Sequence, residues 1–258
     1  MHEETRGYVR SEKHGATQQI EFFHPHGNSL PLAMMNEISL EIHQAGLDDE
    51  VRVVVLKSAG DRAFCGGASF TELSQISTAG EGENFFSGFA HIINSMRKCP
   101  KFIVVRVQGK CVGGGVGIVA AADYAIAVTG AEVKLSELEI GIGPFVVGPA
   151  VERKIGFSAF SQLAIDAASW RTAEWAKARG LYSEVHVNAQ DLDESLQRLV
   201  KHLSHLSTDA MKEIKKMFWQ GTAHWDLLLA ERAKISGGLV TTQSAQRAIA
   251  LLKPGSNG

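Results

Sequence analysis

The sequence predicts an α/β fold in which a parallel sheet with crossover helices is followed by a helical C-terminal region. Three runs rich in β-branched residues show little alternation, as is typical of strands covered on both faces; they are 51–56, 102–107 and 124–128. Apolar residues at helical spacing separate the first two runs and dominate the chain after Ser158. With 258 residues, 45% of them hydrophobic, the chain can bury a large core.

An early hairpin and a helical pattern precede the first of these runs. Residues 7–10 and 19–23 are short extended segments that lead into the turn-forming residues 24–28. Further along, the glycines within 80–83 predict a flexible joint before the helix that leads to the second run. In the helical last third, Gly237 is expected to end a helix.

Two glycine-rich loops follow strand-like runs. One spans 57–68 and the other 109–122, and the second contains three consecutive glycines, Gly113 to Gly115. Glycine loses more backbone entropy on folding than any other residue, so three in a row indicate that another group approaches the main chain closely. Because a crossover joins parallel strands, both loops should lie at the same carboxyl edge of one sheet. Backbone amides at the following helix start could bind an oxyanion there.

Neither loop matches a nucleotide-binding motif. The triple glycine lacks the Gly-x-Gly-x-x-Gly spacing with a later acidic residue, and no Gly-Lys-Ser/Thr closes it as a phosphate loop. A purely structural glycine turn remains an alternative interpretation of the triple glycine taken alone.

Charge balance and cysteine content narrow the class of protein. The chain has 26 basic and 28 acidic residues, which offers no field for nucleic acid or an anionic membrane, so we expect neither partner. Cys65, Cys99 and Cys111 have no metal-ligand spacing, so we expect buried thiols, a reducing compartment and no metal site. The polar N-terminus does not resemble a signal peptide, and the cytoplasm is the expected location.

One carboxylate, Glu137, lies in the apolar neighbourhood 133–144. Such a group is either paired structurally or held at a raised pKa for proton transfer, and the residues alone leave both interpretations open. Glu139 would share the face of Glu137 if this segment were extended, so whether Glu139 assists Glu137 is open as well.

Three motifs occur in a fixed order along the chain. They are Ala63-Phe-Cys-Gly-Gly-Ala68, then Gln108-Gly-Lys-Cys-Val-Gly-Gly-Gly115, then Ser136-Glu137 with Gly141 and Pro144. They resemble, in turn, the Phe-x-Ala-Gly-Ala-Asp, Asn-Gly-x-Ala-x-Gly-Gly-Gly and Pro-Glu-x-x-x-Gly-x-x-Pro motifs of the enoyl-CoA hydratase/isomerase (crotonase) superfamily. Three spaced motifs in the right order are far more specific than any one, and the resemblance covers nearly the whole chain.

The resemblance implies a fold, a substrate carrier and a site. The fold would be a crotonase-like spiral of ββα units over residues 1–190, with a helical region, 191–258, that packs on the core or on a neighbouring subunit. The substrate would be an acyl-CoA thioester, with coenzyme A as its carrier and no tightly bound cofactor. Its carbonyl oxygen would be held by the N–H groups of Ala68 and Gly114, and Ala63 would help these two to bind the carrier. A homotrimer or a dimer of trimers is implied.

The departures from the family pattern favour one reaction. The family's hydratases carry a glutamate two residues after the triple glycine, where this chain has Gly117, whereas their second glutamate matches Glu137. Hydration normally divides its proton transfers between two carboxylates, but a double-bond shift needs only one base. We therefore expect isomerisation of an enoyl-CoA, with Glu137, Ala68 and Gly114 as the catalytic residues.

Two alternatives remain open. The first is hydration of a 2-enoyl-CoA, with Glu137 alone or with help from another acid. The second is a non-catalytic thioester-binding protein that keeps the fold. Ser69 and Gln108 also replace the aspartate and asparagine of the family motifs, which puts the local scaffold, rather than the chemistry, in question.

Overall fold

The computed structural model describes residues 7–251, which form two sheets and ten α-helices. The large sheet has the strand order β1-β2-β3-β5-β7-β9, and only β1 and β2 are antiparallel. The small sheet is parallel, with the order β4-β6-β8. The strands are β1 (Tyr8–His14), β2 (Thr17–Phe23), β3 (Val53–Ser58), β4 (Ala63–Cys65), β5 (Phe102–Val107), β6 (Lys110–Val112), β7 (Tyr124–Val128), β8 (Val133–Lys134) and β9 (Glu184–His186).

The helices surround these sheets, and a 3-10 helix, Glu137–Ile140, follows β8. The α-helices are α1 (Leu32–Leu47), α2 (Phe70–Leu73), α3 (Ala79–Lys98), α4 (Gly114–Ala121), α5 (Gly148–Ile165), α6 (Ala173–Ala178), α7 (Ala189–Leu203), α8 (Thr208–Phe218), α9 (Trp225–Val240) and α10 (Gln243–Leu251). No helix within residues 7–251 is both long and apolar enough to cross a bilayer.

The large sheet confirms the strands expected from the β-branched runs. Ile20 of β2 pairs with Leu56 of β3, which pairs with Val105 of β5, and all three side chains are fully buried. Burial on both faces explains why these runs lack polar alternation. The early hairpin is also confirmed, with longer strands whose register runs from Tyr8 opposite Phe23 to His14 opposite Thr17.

The glycine loops lie at the small sheet, which the sequence did not predict. The loops do meet at one carboxyl edge, but it is the edge of β4, β6 and β8 and not of the large sheet. Each of these strands has only two or three residues, too few to show a period in sequence. Because the three strands are parallel neighbours, the segments after Cys65, Val112 and Lys134 emerge side by side.

Two predictions about glycines in helices are wrong. The expected joint 80–83 lies inside the first turns of α3, and the expected stop Gly237 lies inside α9. A Cβ atom added to Gly82 would lie 2.7 Å from Gly237 Cα, and one added to Gly237 would strike Glu83 N. These glycines therefore let the two helix backbones touch, and glycine here reflects packing and not a helix end.

The C-terminal helices contact the rest of the molecule at several places. Lys215 of α8 donates to Asp123 Oδ2 over 2.5 Å and to the Lys101 carbonyl over 3.2 Å, and its side chain is 3% exposed. Asp123 also accepts the Ile103 N–H. Helix α10 backs the 3-10 helix, where a Cβ added to Gly141 would lie 2.9 Å from Ala245 Cα. The boundary at residue 190 and packing on a neighbouring subunit stay predictions.

Candidate active site

A cavity of about 480 Å³ opens where the segments after β4, β6 and β8 meet. Its walls combine the main chain of both glycine loops with apolar side chains from α2, α3 and the segment before α5. The only ionisable side chains among the described lining residues are Glu137 and the exposed His26. The apolar part of the wall includes Phe70, Leu73, Phe86, Phe89, Val146 and Val147.

Two backbone amides in this wall have no partner. Leu30 pairs with Ala68 as an isolated parallel bridge, through Leu30 N–H to Gly67 O at 2.8 Å and Ser69 N–H to Leu30 O at 3.0 Å. That pairing leaves the Ala68 N–H unused, and the Gly114 N–H at the start of α4 donates to no other described residue either. The two loops are close, since a Cβ added to Gly67 would lie 3.8 Å from Gly114 N. Ala68 and Gly114 thus both line the cavity as free donors.

Each glycine of the triple faces a different neighbour. A Cβ on Gly113, whose φ is +51°, would lie 2.9 Å from Glu137 Oε1; one on Gly114 would strike the Phe89 ring; one on Gly115 would lie 2.7 Å from Cys65 Cβ. The close approach expected from the sequence is therefore confirmed. The contact of Gly113 also places the Glu137 carboxyl group beside the residue that precedes the free Gly114 amide.

Glu137 starts the 3-10 helix and is only partly exposed. Its Oε2 atom is buried and has no hydrogen-bond partner among the described residues. Burial away from water raises the pKa of this carboxyl group from 4.5 to about 7, and a hydrogen bond from its own backbone only partly opposes that rise. Of the two interpretations left open by the sequence, the geometry favours the second, because Glu137 pairs with no basic side chain among the described residues and burial raises its pKa.

Glu139 does not share this position, because the segment is a 3-10 helix and not extended chain. Its carboxylate pairs with Lys134 at 2.7 Å, and it does not line the cavity. Ala63 is not a lining residue either: it begins β4, and its carbonyl accepts hydrogen bonds from Asn28 and Gln108. Its role in carrier binding stays a prediction.

The two departures from the family motifs are accommodated locally. Ser69 accepts the Glu72 N–H over 3.4 Å and so caps α2. Gln108 is buried and donates to Ser58 Oγ over 2.7 Å, which ties the end of β5 to the end of β3. Both side chains hold the loops that carry the free amides.

Val147 is a feature of the site that sequence analysis missed. A Cβ added to Gly117 would lie 2.5 Å from Val147 Cγ1 and 2.6 Å from its Cβ. The valine side chain therefore fills the space beside Gly117 and is itself only 3% exposed. Because these residues meet through tertiary packing, no local motif could have indicated the contact.

Two free amides beside an unpaired carboxyl group, in an apolar cavity, make a site suited to binding and polarising a carbonyl group. A family model described as enoyl-CoA hydratase/isomerase matches residues 12–246. The chain therefore belongs to the enoyl-CoA hydratase/isomerase family. The crystal structure of enoyl-CoA hydratase from Bacillus halodurans superimposes with a TM-score of 0.87 at 21% identity, covering 95% of this chain and 100% of that one, which confirms the crotonase-like fold.

Similar curated proteins have three different activities in their names. A mitochondrial 3-hydroxyisobutyryl-CoA hydrolase of Rattus norvegicus is 28% identical, over 50% of this chain and 35% of its own length. The human mitochondrial methylglutaconyl-CoA hydratase is 28% identical, over 66% of this chain and 50% of its own. A peroxisomal Delta(3,5)-Delta(2,4)-dienoyl-CoA isomerase of Arabidopsis thaliana is 25% identical, over 74% and 72%. The chain thus spans only a third to a half of the first two, and similarity alone does not select one reaction.

Proposed function

We propose that this protein shifts the double bond of an enoyl-CoA thioester, with Glu137 as the single proton carrier. The observation that supports this most directly is that Glu137 Oε2 is buried without a partner among the described residues, while Oε1 lies against Gly113, next to the residue that carries the free Gly114 amide. A base must be close to its proton and have a pKa near the working pH, and Glu137 meets the second condition at about 7.

The thioester carbonyl oxygen would accept hydrogen bonds from Ala68 N–H and Gly114 N–H. Glu137 then removes a proton from C2 of a 3-enoyl thioester, and the negative charge develops on the carbonyl oxygen between the two amides. The same carboxyl group returns the proton at C4, so the double bond moves from C3–C4 to C2–C3 and no atom is gained or lost. Fixed amides stabilise this charge without reorganising, and removing one such donor typically costs about 3 kcal/mol of transition-state stabilisation.

Hydration is the alternative reaction, and the wall opposite Glu137 argues against it. A hydratase would place a second carboxylate at position 117, but Val147 fills the space that such a side chain would enter. A water molecule beside the Val147 side chain would gain no hydrogen bond from it, whereas ordered waters typically make two to four. A non-catalytic thioester-binding protein has no need of an unpaired carboxyl group held at raised pKa, since burying one without partners is unfavourable.

A paired substitution tests the proposal. Glu137→Gln should lower the turnover of 3-enoyl-CoA by roughly a hundred- to ten-thousand-fold, as is typical when a general base is lost. Binding of the thioester should change little because both amides remain. The matched control is Glu139→Gln, whose carboxylate lies outside the cavity and pairs with Lys134.

The measurement combines exchange of C2 protons in D₂O with mass analysis of products from 3-enoyl- and 2-enoyl-CoA. Retention of full exchange by Glu137→Gln would remove Glu137 from the mechanism. Efficient hydration of 2-enoyl-CoA by the wild-type protein, without any double-bond shift, would replace isomerase by hydratase.

We also propose that the chain works as a homotrimer or a dimer of trimers. This proposal rests on the family resemblance; several described helices expose large apolar side chains that an association could cover, among them Phe157 and Ile165 of α5 and Met217 and Phe218 of α8. The cytoplasmic location expected from the sequence stays a prediction.

A further inference from the structure

Ser236 on α9 is a polar side chain in an otherwise apolar part of the cavity wall. The residue is 1% exposed, lines the cavity, and its hydroxyl group makes no hydrogen bond with any described residue. A buried helical serine usually bonds to a carbonyl of its own helix, as Ser87 does with the Glu83 carbonyl at 2.7 Å. Ser236 makes no such bond with any described residue.

The position of Ser236 is fixed by the contact between α3 and α9. Gly237, the next residue, lies against the backbone of α3 at Gly82 and Glu83. Phe86, one turn further along α3, also lines the cavity. Because the two helix backbones touch, Ser236 cannot move away from the cavity without separating α3 from α9.

The helical wall beside Ser236 is apolar, whereas the polar lining residues Ser29, Thr71, Ser136 and Glu137 belong to other segments. Leu73, Phe86 and Phe89 are 3%, 6% and 4% exposed and line the same cavity. No lysine or arginine is among its described lining residues. A carboxylate on the substrate at this part of the wall would therefore have no lysine or arginine to pair with, which is unfavourable, whereas an uncharged oxygen could bond to the serine.

We infer that Ser236 hydrogen-bonds to an uncharged oxygen substituent, a hydroxyl or keto group, on the acyl chain of the substrate. This inference rests on the proposed use of the cavity for acyl-CoA thioesters. It narrows the substrates to thioesters whose acyl chain is uncharged and is hydrocarbon except for one oxygen substituent. A hydroxyl without a partner costs free energy that a matching oxygen recovers, so the site selects for that oxygen.

Binding of saturated thioesters tests this without relying on catalysis. Saturated acyl-CoAs of increasing length are titrated calorimetrically into the wild-type protein and Ser236→Ala, beside counterparts that carry a terminal hydroxyl. At one chain length, the ratio of hydroxyl to methyl affinity should be roughly five- to tenfold higher in the wild type, as expected for one neutral hydrogen bond. A counterpart whose acyl chain ends in a carboxylate should bind to both proteins at least about tenfold more weakly than the methyl-terminated thioester.

Two controls separate recognition from structure. Ser87→Ala removes the hydroxyl that bonds within α3, and it should leave the affinity ratio unchanged. Ser236→Ala should melt no lower than the wild type, because its hydroxyl makes no bond that is lost. An equal ratio of hydroxyl to methyl affinity in both proteins at every chain length would overturn the inference and leave the proposed function intact. Tight binding of the carboxylate-terminated thioester would do the same. Failure of every acyl-CoA thioester to bind would instead overturn the proposed function.

Discussion

Glu137 combines two opposing properties: it lies near the two free amides proposed to bind a carbonyl group, and its Oε2 atom is buried with no hydrogen-bond partner among the described residues. The free amides favour negative charge on the substrate, while burial of Oε2 disfavours negative charge on the carboxyl group. The result is a base that accepts a proton readily at neutral pH. A carboxylate of ordinary pKa would be a weaker base for a carbon acid.

The rate should follow the ionisation of this one group. With Glu137 as the proposed base, kcat/KM for 3-enoyl-CoA should rise with pH and level off above a pKa of about 7. The Glu137→Asp variant, which keeps a carboxyl group, should retain an ascending limb, whereas the residual rate of Glu137→Gln should lose it. A rate that is flat from pH 5 to pH 8 in the wild type would contradict the assignment.

Stability should depend on the same group with the opposite sense. The pKa is 4.5 in the unfolded chain and about 7 in the folded protein, so the folded state binds more protons between these values. The free energy of unfolding therefore falls as pH rises through that window, by up to about 3 kcal/mol. Glu137→Gln should lack this loss and melt higher than the wild type at pH 8. Urea unfolding at pH 5 and pH 8 measures the free energy of unfolding of both proteins. An equal change between the two pH values in the wild type and in Glu137→Gln would contradict the prediction.

Among single elements, α8 depends on one buried ion pair. Lys215 and Asp123 are 3% and 6% exposed at their side chains, whereas the neighbouring Lys216 is 59% exposed and pairs only with Glu213. Lys215→Met would leave the Asp123 charge uncompensated and should cost about 3–5 kcal/mol. Lys216→Met is the matched control and should change stability by less than about 0.5 kcal/mol. Denaturant midpoints compare the two, and similar midpoints would show that α8 is held mainly by apolar packing.

The elements differ in how well their sequences predict them. The long strands of the large sheet were predicted because burial on both faces selects unbroken β-branched runs, as in β5 and β7. The small sheet was not, because its strands are too short to carry a pattern and are positioned by neighbours. Gly82 and Gly237 were misassigned since glycine permits both helix ends and close helix contacts, and only the fold distinguishes these.

The candidate site divides in the same way. Glu137, Ala68 and Gly114 could be predicted because each follows one strand of the small sheet within a recognisable motif. Val147 and Ser236 could not, because they reach the cavity from other elements through packing. The 3-10 helix that separates Glu139 from Glu137 is fixed partly by α10, about a hundred residues further along the chain, so local sequence could not specify it.

For the whole molecule, ligand binding should appear as a gain in stability. A ligand present at a hundred times its Kd stabilises the folded state by about 2.7 kcal/mol, or roughly 5–10 °C for a chain of this size. Acetoacetyl-CoA should produce such a shift in the melting temperature, because its thioester carbonyl can use the two free amides. NADH is the control and should produce none, since the chain has no dinucleotide motif. A shift with NADH but not with the thioester would contradict the nature of the site.

The contact between Gly117 and Val147 has a consequence for descent within the family. Glutamate can enter position 117 only if Val147 is replaced or shifts, because its first side-chain carbon would lie 2.5 Å from Val147 Cγ1 and 2.6 Å from Val147 Cβ. In related chains we therefore expect the two positions to covary, with glycine or a displaced backbone at 147 wherever 117 carries a side chain. A lineage could then change from isomerisation to hydration only in a fixed order. Val147 would have to be replaced or displaced before position 117 acquired the glutamate.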